Sequence, residues 1–235
     1  MNLQDAVLAL RQAGIPSPRL DAELLLAHVL RQHRAELYAR ADIPLSDGCS
    51  KHFAMLARRR VAGEPLAYLV GYKEFYGHRF VVNPHVLVPR PETELLVEQA
   101  LRVLPQDAPG TVIDVCAGSG CVGISIALAR PLARVWATDL SEEALKVARR
   151  NAANLGVSAR IEFVQGDLLE PLTHAGGSGA DSRENFLHLD VPTPFVVPAK
   201  GCFQVGAGTW GPRKVFARSA KLCGAKAKAG PADPR

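Results

Sequence analysis

Asp114-Val115-Cys116-Ala117-Gly118-Ser119-Gly120 stands where a β-branched run, 111–115, gives way to an apolar stretch continuing to residue 129. Glycines at 118 and 120 let the backbone take positive φ and approach a ligand closely, and a helix beginning at 120 offers unpaired N–H groups there. A strand-turn-helix of this kind is the expected seat of a nucleotide-like ligand. The sequence around it alternates in the same sense, with strand 111–115, helix 120–129, strand 134–138, helix 141–155 and strand 160–164. Ser141 before Glu142 and Glu143 marks a helix start and Gly156 its end. Parallel pairing with right-handed crossovers follows.

Upstream, apolar residues recur at helical spacing as Leu3, Val7 and Leu10, then Leu20, Leu24 and Ala27, then Phe53 and Leu56 in line with Arg60. Asn2, Ser17 and Ser46 are placed as N-caps and Gly14 and Gly63 as stops, with loops near Ile15-Pro16 and Ile43-Pro44. A small helical domain over 1–67 is expected. From 68 to 90 the texture turns aromatic and β-branched around Gly71 and Gly77, with Phe80-Val81-Val82 and Val86-Leu87-Val88 as strand candidates, so a hairpin-like linker is expected. Pro89-Arg90-Pro91-Glu92-Thr93-Glu94 then suits the opening of a helix that runs to about Leu104. After Leu172 the periodicity stops. Residues 173–235 hold 9 Gly and 6 Pro, and Phe195-Val196-Val197 is their one strand candidate, so this tail is expected to be poorly ordered. The fold class is therefore α/β, with a helical N-terminal domain, a hairpin linker, an incomplete parallel-sheet domain over 91–172 and an atypical tail.

Composition narrows the function. No stretch reaches the roughly 20 apolar residues of a membrane helix, and the N-terminus lacks the basic-then-apolar order of a secretion signal, so a cytoplasmic address is expected. The five cysteines (Cys49, Cys116, Cys121, Cys202 and Cys223) follow neither zinc spacing nor a disulfide framework, and they read as reduced thiols. His28 and His33 are five apart and face different ways on a helix, so no metal is expected. The net charge of +5 is confined to the tail: residues 1–172 hold 19 basic and 19 acidic side chains, the remainder 9 and 4. A solvated basic tail accounts for that surplus, and no direct DNA binding is expected.

Gly118-x-Gly120-x-x-Gly123, with Asp139 ending the next strand, also satisfies the dinucleotide fingerprint. Two features favour S-adenosyl-L-methionine. Asp114 stands four residues before the first glycine, where a carboxylate can order the loop and meet the methionine end, and Gly166-Asp167-Leu168 follows the third strand, where the adenine would lie. The arrangement resembles the class I methyltransferases. Cofactor contacts are expected at Asp114, Cys116, Ala117, Gly118, Ser119, Gly120, Asp139, Asp167 and Leu168. Asp139 would accept hydrogen bonds from ribose hydroxyls, or it caps the helix at Ser141; Asp167 is either a ligand or a turn residue. Cys116 and Cys121 serve equally as small apolar fillers.

Gly63-Glu64-Pro65-Leu66-Ala67-Tyr68, Gly71-Tyr72-Lys73-Glu74-Phe75-Tyr76-Gly77 and Val88-Pro89-Arg90-Pro91-Glu92-Thr93-Glu94 together resemble the linker of the HemK/PrmC family, the release factor glutamine methyltransferases. The likeness covers about residues 1–172. It implies methylation of the side-chain amide of the glutamine in the Gly-Gly-Gln loop of class-one peptide chain release factors, with those factors as partners of a monomer. It also implies that Arg90 and Glu92 line the substrate side, where helix-start electrostatics is the alternative role, and that Arg58-Arg59-Arg60 is either a solvated face or a partner contact. In that family an Asn-Pro-Pro-Tyr motif after the fourth strand grips the amide. This chain has none; its nearest string, Asn83-Pro84-His85-Val86, precedes the glycine loop. No catalytic residue is therefore assigned, and the C-terminal third is expected to be replaced by truncation or a frameshift. Two other readings remain: a non-catalytic protein that binds cofactor or release factor, and an NAD-dependent oxidoreductase, which would need catalytic groups on a later strand.

Overall fold

Capping chemistry starts the first helix. Asn2 and Asp5 form a reciprocal capping box, Asp5 N–H donating to Asn2 Oδ1 at 2.9 Å and Asn2 N–H to Asp5 Oδ2 at 3.1 Å. The computed structural model describes residues 1–39 and 45–173 and three short strands at 195–197, 205–207 and 215–217. The expected loop at Ile43-Pro44, Cys202, Cys223 and almost all of the tail lie outside the described residues.

Helices α1 (Leu3–Gln12), α2 (Pro18–Leu30), α3 (Arg34–Ala39), α4 (Asp47–Val61) and α5 (Leu66–Val70) build the N-terminal part. Their core gathers Ala6, Leu10, Leu25, Phe53, Leu56 and Leu69. The helical spacing identified α1 and α4 correctly, but Leu20 is exposed while Ala22, Leu25 and Leu26 are buried. The reason is that α2 touches α1, α3, α4 and α5, and a helix enclosed on several sides has no single apolar stripe. Arg60 is not part of a solvated face: it is half-buried, and its Nε donates to Asp21 Oδ2 at 2.7 Å.

Strands β1 (Tyr72–Phe75) and β2 (His78–Val81) form an antiparallel hairpin around Tyr76 and Gly77, whose φ angles of 49° and 73° give the right-handed twist a two-residue turn needs. The second strand expected in this linker is absent: Val86-Leu87-Val88 is not a strand. Asn83 opens a turn instead, Val86 N–H donating to its carbonyl, and the Val86 carbonyl accepts from the Tyr68 hydroxyl at 2.6 Å in place of a ladder partner.

A turn of 3-10 helix at Pro91–Thr93 leads into α6 (Glu94–Val103). Then follow β3 (Gly110–Val115), α7 (Cys121–Ala129), β4 (Ala133–Asp139), α8 (Glu142–Asn154), β5 (Ile161–Gln165), the short α9 (Glu170–Thr173), β6 (Phe195–Val197), β7 (Val205–Ala207) and β8 (Val215–Ala217). The main sheet is parallel in the order β5-β4-β3-β6. It is thus not left open after three strands as expected, because β6 pairs along the far side of β3, with Ile113 opposite Val196. β7 and β8 make a separate antiparallel pair. Val112, Val135, Ala137 and Ile161 pack with α6, α7 and α8 into the largest core, joined by Phe75 and Phe80 of the hairpin. No helix among the described residues is long and apolar enough to cross a membrane.

Candidate functional site

The loop after β3 is shaped by carboxylates that accept from backbone N–H groups. Asp114, buried at the end of β3, accepts from Gly123 N–H at 2.9 Å and so fixes the first turn of α7 against the sheet. Asp139, half-buried at the end of β4, accepts from Gly118 N–H through Oδ2 at 2.8 Å and from Ser141 N–H through Oδ1 at 3.0 Å. Of the two roles expected for Asp139, support for the start of α8 is present, and the same side chain also ties down the glycine loop, an ordering expected of Asp114. A carboxylate has about four acceptor positions, so each oxygen still has capacity for a further donor.

The glycines divide the labour. A side chain at Gly118, whose φ is +57°, would meet nothing within 4 Å, so the loop presents its backbone to open space there. A Cβ on Gly120 would come within 2.9 Å of Ile124 Cδ1 and 3.1 Å of Ala148 Cβ, so that glycine permits α7 and α8 to close beneath the loop. Residue 118 faces outward and residue 120 inward. That division fits a cradle for a ligand bearing hydroxyl donors and polar acceptors, with packed helices behind it.

The loop is joined to the third strand as well. Thr138 Oγ1 donates to the Leu168 carbonyl at 2.8 Å and Gly166 N–H donates to the Asp139 carbonyl at 3.1 Å. These bonds gather Asp114, residues 116–120, Asp139 and Leu168 at the carboxyl ends of neighbouring parallel strands. Leu168 is exposed, with φ +48°, and Asp167 is exposed in a turn closed by Glu170 N–H to its carbonyl. Arg90 and Glu92 are exposed at the 3-10 turn before α6; the side chain that ties this region down is Glu94, which accepts from Tyr76 N–H at 2.9 Å. Ser119 is fully buried, and its hydroxyl has no hydrogen-bond partner among the described residues, so its side chain points into the protein rather than to the open side. Cys121 is a buried filler as expected, but Cys116 is exposed and takes φ +58°. Among the described residues no group of His, Cys, Asp or Glu could hold a metal ion.

One contributor escaped sequence reasoning. Asn151, fully buried in α8, donates from Nδ2 to the Ser119 carbonyl at 2.9 Å and to the Val81 carbonyl at 3.0 Å, and accepts from Val81 N–H at 2.7 Å. It fastens the hairpin linker to the glycine loop. The available signal was an asparagine on the same helical face as Ala144, Leu145, Val147 and Ala148, since a polar side chain among core positions must find partners.

Residues 2–71 match the family model described as the PrmC N-terminal domain, and residues 92–176 that described as the methyltransferase small domain. The chain is 48% identical over 149 residues to the release factor glutamine methyltransferase of Neisseria gonorrhoeae, an overlap of 63% of this chain and 53% of that protein. With the enzyme of the same name from Chlorobaculum tepidum the identity is 44% over 202 residues, 83% of this chain and 66% of the relative. With that from Burkholderia pseudomallei it is 48% over 156 residues, 65% and 55% respectively. The chain therefore spans about half to two thirds of the length of these relatives.

Proposed function

Because this chain belongs to the release factor glutamine methyltransferase family, we propose that its glycine loop holds S-adenosyl-L-methionine for methyl transfer to the side-chain amide of the glutamine in the Gly-Gly-Gln loop of a class-one release factor. The observation that carries the cofactor half of this reading is the pairing of Gly118 with Asp139: an exposed backbone turn and a carboxylate with spare acceptor capacity, locked to each other at 2.8 Å. Asp139 would accept from the ribose hydroxyls, the backbone of 116–120 would face the methionine end, and Asp167 and Leu168 would border the adenine. Ser119 contributes through its backbone. The helical N-terminal domain over 1–67, with the linker over 68–90, would meet the release factor, and Arg90 and Glu92 would border the approach of the glutamine. The protein would act as a cytoplasmic monomer.

When bound, the cofactor supplies an electrophilic methyl group on a sulfonium. An amide nitrogen is a poor nucleophile because its lone pair is delocalised, so rate must come from holding it in line and from stabilising the charge that develops. Here Asp114 and Asn151 keep the loop from moving, and Asp139 would hold the cofactor sugar. A second reading, a protein that binds cofactor and release factor without turnover, is favoured by one observation. β6 stands beside β3 where a fourth strand belongs, and Pro198-Ala199-Lys200-Gly201 follows it in place of Asn-Pro-Pro-Tyr.

Titration calorimetry with S-adenosylmethionine and S-adenosylhomocysteine tests the cofactor. Saturable binding that NAD does not compete for, weakened roughly 10- to 100-fold by Asp139→Ala, is expected from the loss of charge-assisted bonds to the ribose. Transfer of labelled methyl into a full-length class-one release factor, abolished when its Gly-Gly-Gln glutamine is replaced, supports the enzyme. Binding without transfer supports the second reading, and no binding of either compound overturns both.

A further inference from the structure

Away from the glycine loop, a cleft of about 780 Å³ opens between the helical part and the hairpin. Such a volume is that of a small-molecule site. The carboxyl end of α2 supplies His28 and Arg31, the start of α3 supplies His33 and Arg34, and α4 supplies His52. From the hairpin, β1 brings Tyr72 and Glu74 and β2 brings Arg79. Glu74 is the one carboxylate in this lining, against three guanidinium groups. Arg34 lies 3.9 Å from Glu23, which also pairs with Arg19, and the carbonyl end of α2 adds about half a negative charge. With every histidine neutral the lining's own side chains leave two positive charges; Glu23, the end of α2 and Glu36, which accepts from His33 N–H at 3.4 Å, reduce that surplus, and Arg19 offsets Glu23.

One of its cations is held in place, and a second is carried at a backbone position set by a helix end. The Arg79 guanidinium lies 4.0 Å from the centre of the Tyr72 ring, which restrains it by a cation–π contact. Arg31 occupies the left-handed C-cap of α2, at φ 53° and ψ 41°, a conformation in which a glycine would be less strained. Among the described residues no group of His, Cys, Asp or Glu could hold a metal ion, and a guanidinium has donors only.

We propose that this cleft binds a small phosphate-bearing ligand, its anionic oxygens held between Arg31 and Arg79 with His28 and His52 as further donors. Planar guanidinium forks suit phosphate oxygens, and the imidazoles add donors when protonated. Burial, His52 and Arg31 together hold the His28 pKa below its ordinary value. A dianion beside Arg31 offsets that repulsion, so binding takes up protons and is tighter at lower pH.

The test is calorimetry on the full chain with inorganic pyrophosphate, and with sulfate, whose charge is constant over the range, at pH 6 and pH 8. Expected are one saturable site, sulfate binding up to tenfold tighter at pH 6, and roughly tenfold weaker binding of both probes to Arg31→Gln and to Arg79→Gln. Circular dichroism establishes that each variant is folded, and His28→Gln removes most of the pH dependence while keeping binding at pH 8. No saturable binding at either pH, or equal affinity in folded Arg31→Gln and Arg79→Gln, overturns the proposal. So does pyrophosphate failing where an RNA oligonucleotide or an acidic peptide binds in a length-dependent manner, since the cleft is then a macromolecular docking surface. S-adenosylmethionine binding measured on the same samples keeps this result separate from the fate of the glycine loop.

Discussion

On one face of the parallel sheet Val112, Val135, Ala137 and Ile161 are packed beneath α6, α7 and α8; on the other, Ile113, Val115, Trp136 and Val164 form a smaller cluster with Leu169 and Leu172. Strand alternation makes the contrast sharp, because neighbouring residues of one strand live in different environments. The glycine loop belongs to the covered side: Asp114 points beneath α7, and Gly120 closes against Ile124 and Ala148. The candidate site is therefore mounted on the face that carries the larger core cluster among the described residues. Its geometry should fail when that face is disturbed and persist when the other is.

Asn151 offers the most severe way to break this arrangement, since it is a fully buried polar group that joins α8, the hairpin and the glycine loop. Asn151→Ala leaves the Val81 N–H and the Ser119 and Val81 carbonyls short of a partner, and a loss of about 3 kcal/mol in urea unfolding is expected, with weakened S-adenosylmethionine binding. Unchanged cofactor affinity in the folded variant would detach the hairpin from the loop.

A matched pair of deletions then measures the two faces directly. Val135→Ala removes methyl groups from a position only 1% exposed and should cost roughly 2 kcal/mol, whereas the same change at half-buried Val164 should cost under about 1 kcal/mol. Equal costs, read from urea midpoints at constant slope, would mean that the second face is as well covered as the first.

The alternation of strands and helices over 111–165 was legible because each element carried its own period and its own punctuation. Asp114, Gly118, Gly120 and Asp139 were legible for a related reason: a tight strand-to-helix turn restricts residue type locally. What escaped depended on distant partners. Leu20 is out of phase with the α2 core because four neighbouring helices choose what α2 buries, and Val86 left its expected strand because the Tyr68 hydroxyl claims its carbonyl. Arg60 sat in line with Phe53 and Leu56, yet only the fold supplies Asp21, 39 positions earlier, to receive it. The pairing of β6 with β3 was equally out of reach, since three residues carry too little pattern to choose an edge.

Cys116 is the point at which the chain leaves the face with the smaller cluster and turns toward α7. Val115 still points to the far side, with Ile113; by Ala117 the chain is buried in the main core. That reversal puts Cys116 at φ +58°, where an ordinary side chain costs about 1 to 2 kcal/mol relative to glycine. Cys116→Gly relieves the strain, but it also frees the unfolded chain, which returns about 0.4 to 1 kcal/mol. Because the Cys116 side chain also gives up its own contacts, a net change of under about 1 kcal/mol in either direction is expected, with cofactor affinity unchanged because the backbone keeps its path. Destabilisation beyond that would mean that the exposed side chain makes contacts worth more than the strain. The crossing between the two faces would then be held by the thiol rather than by the glycines that follow it.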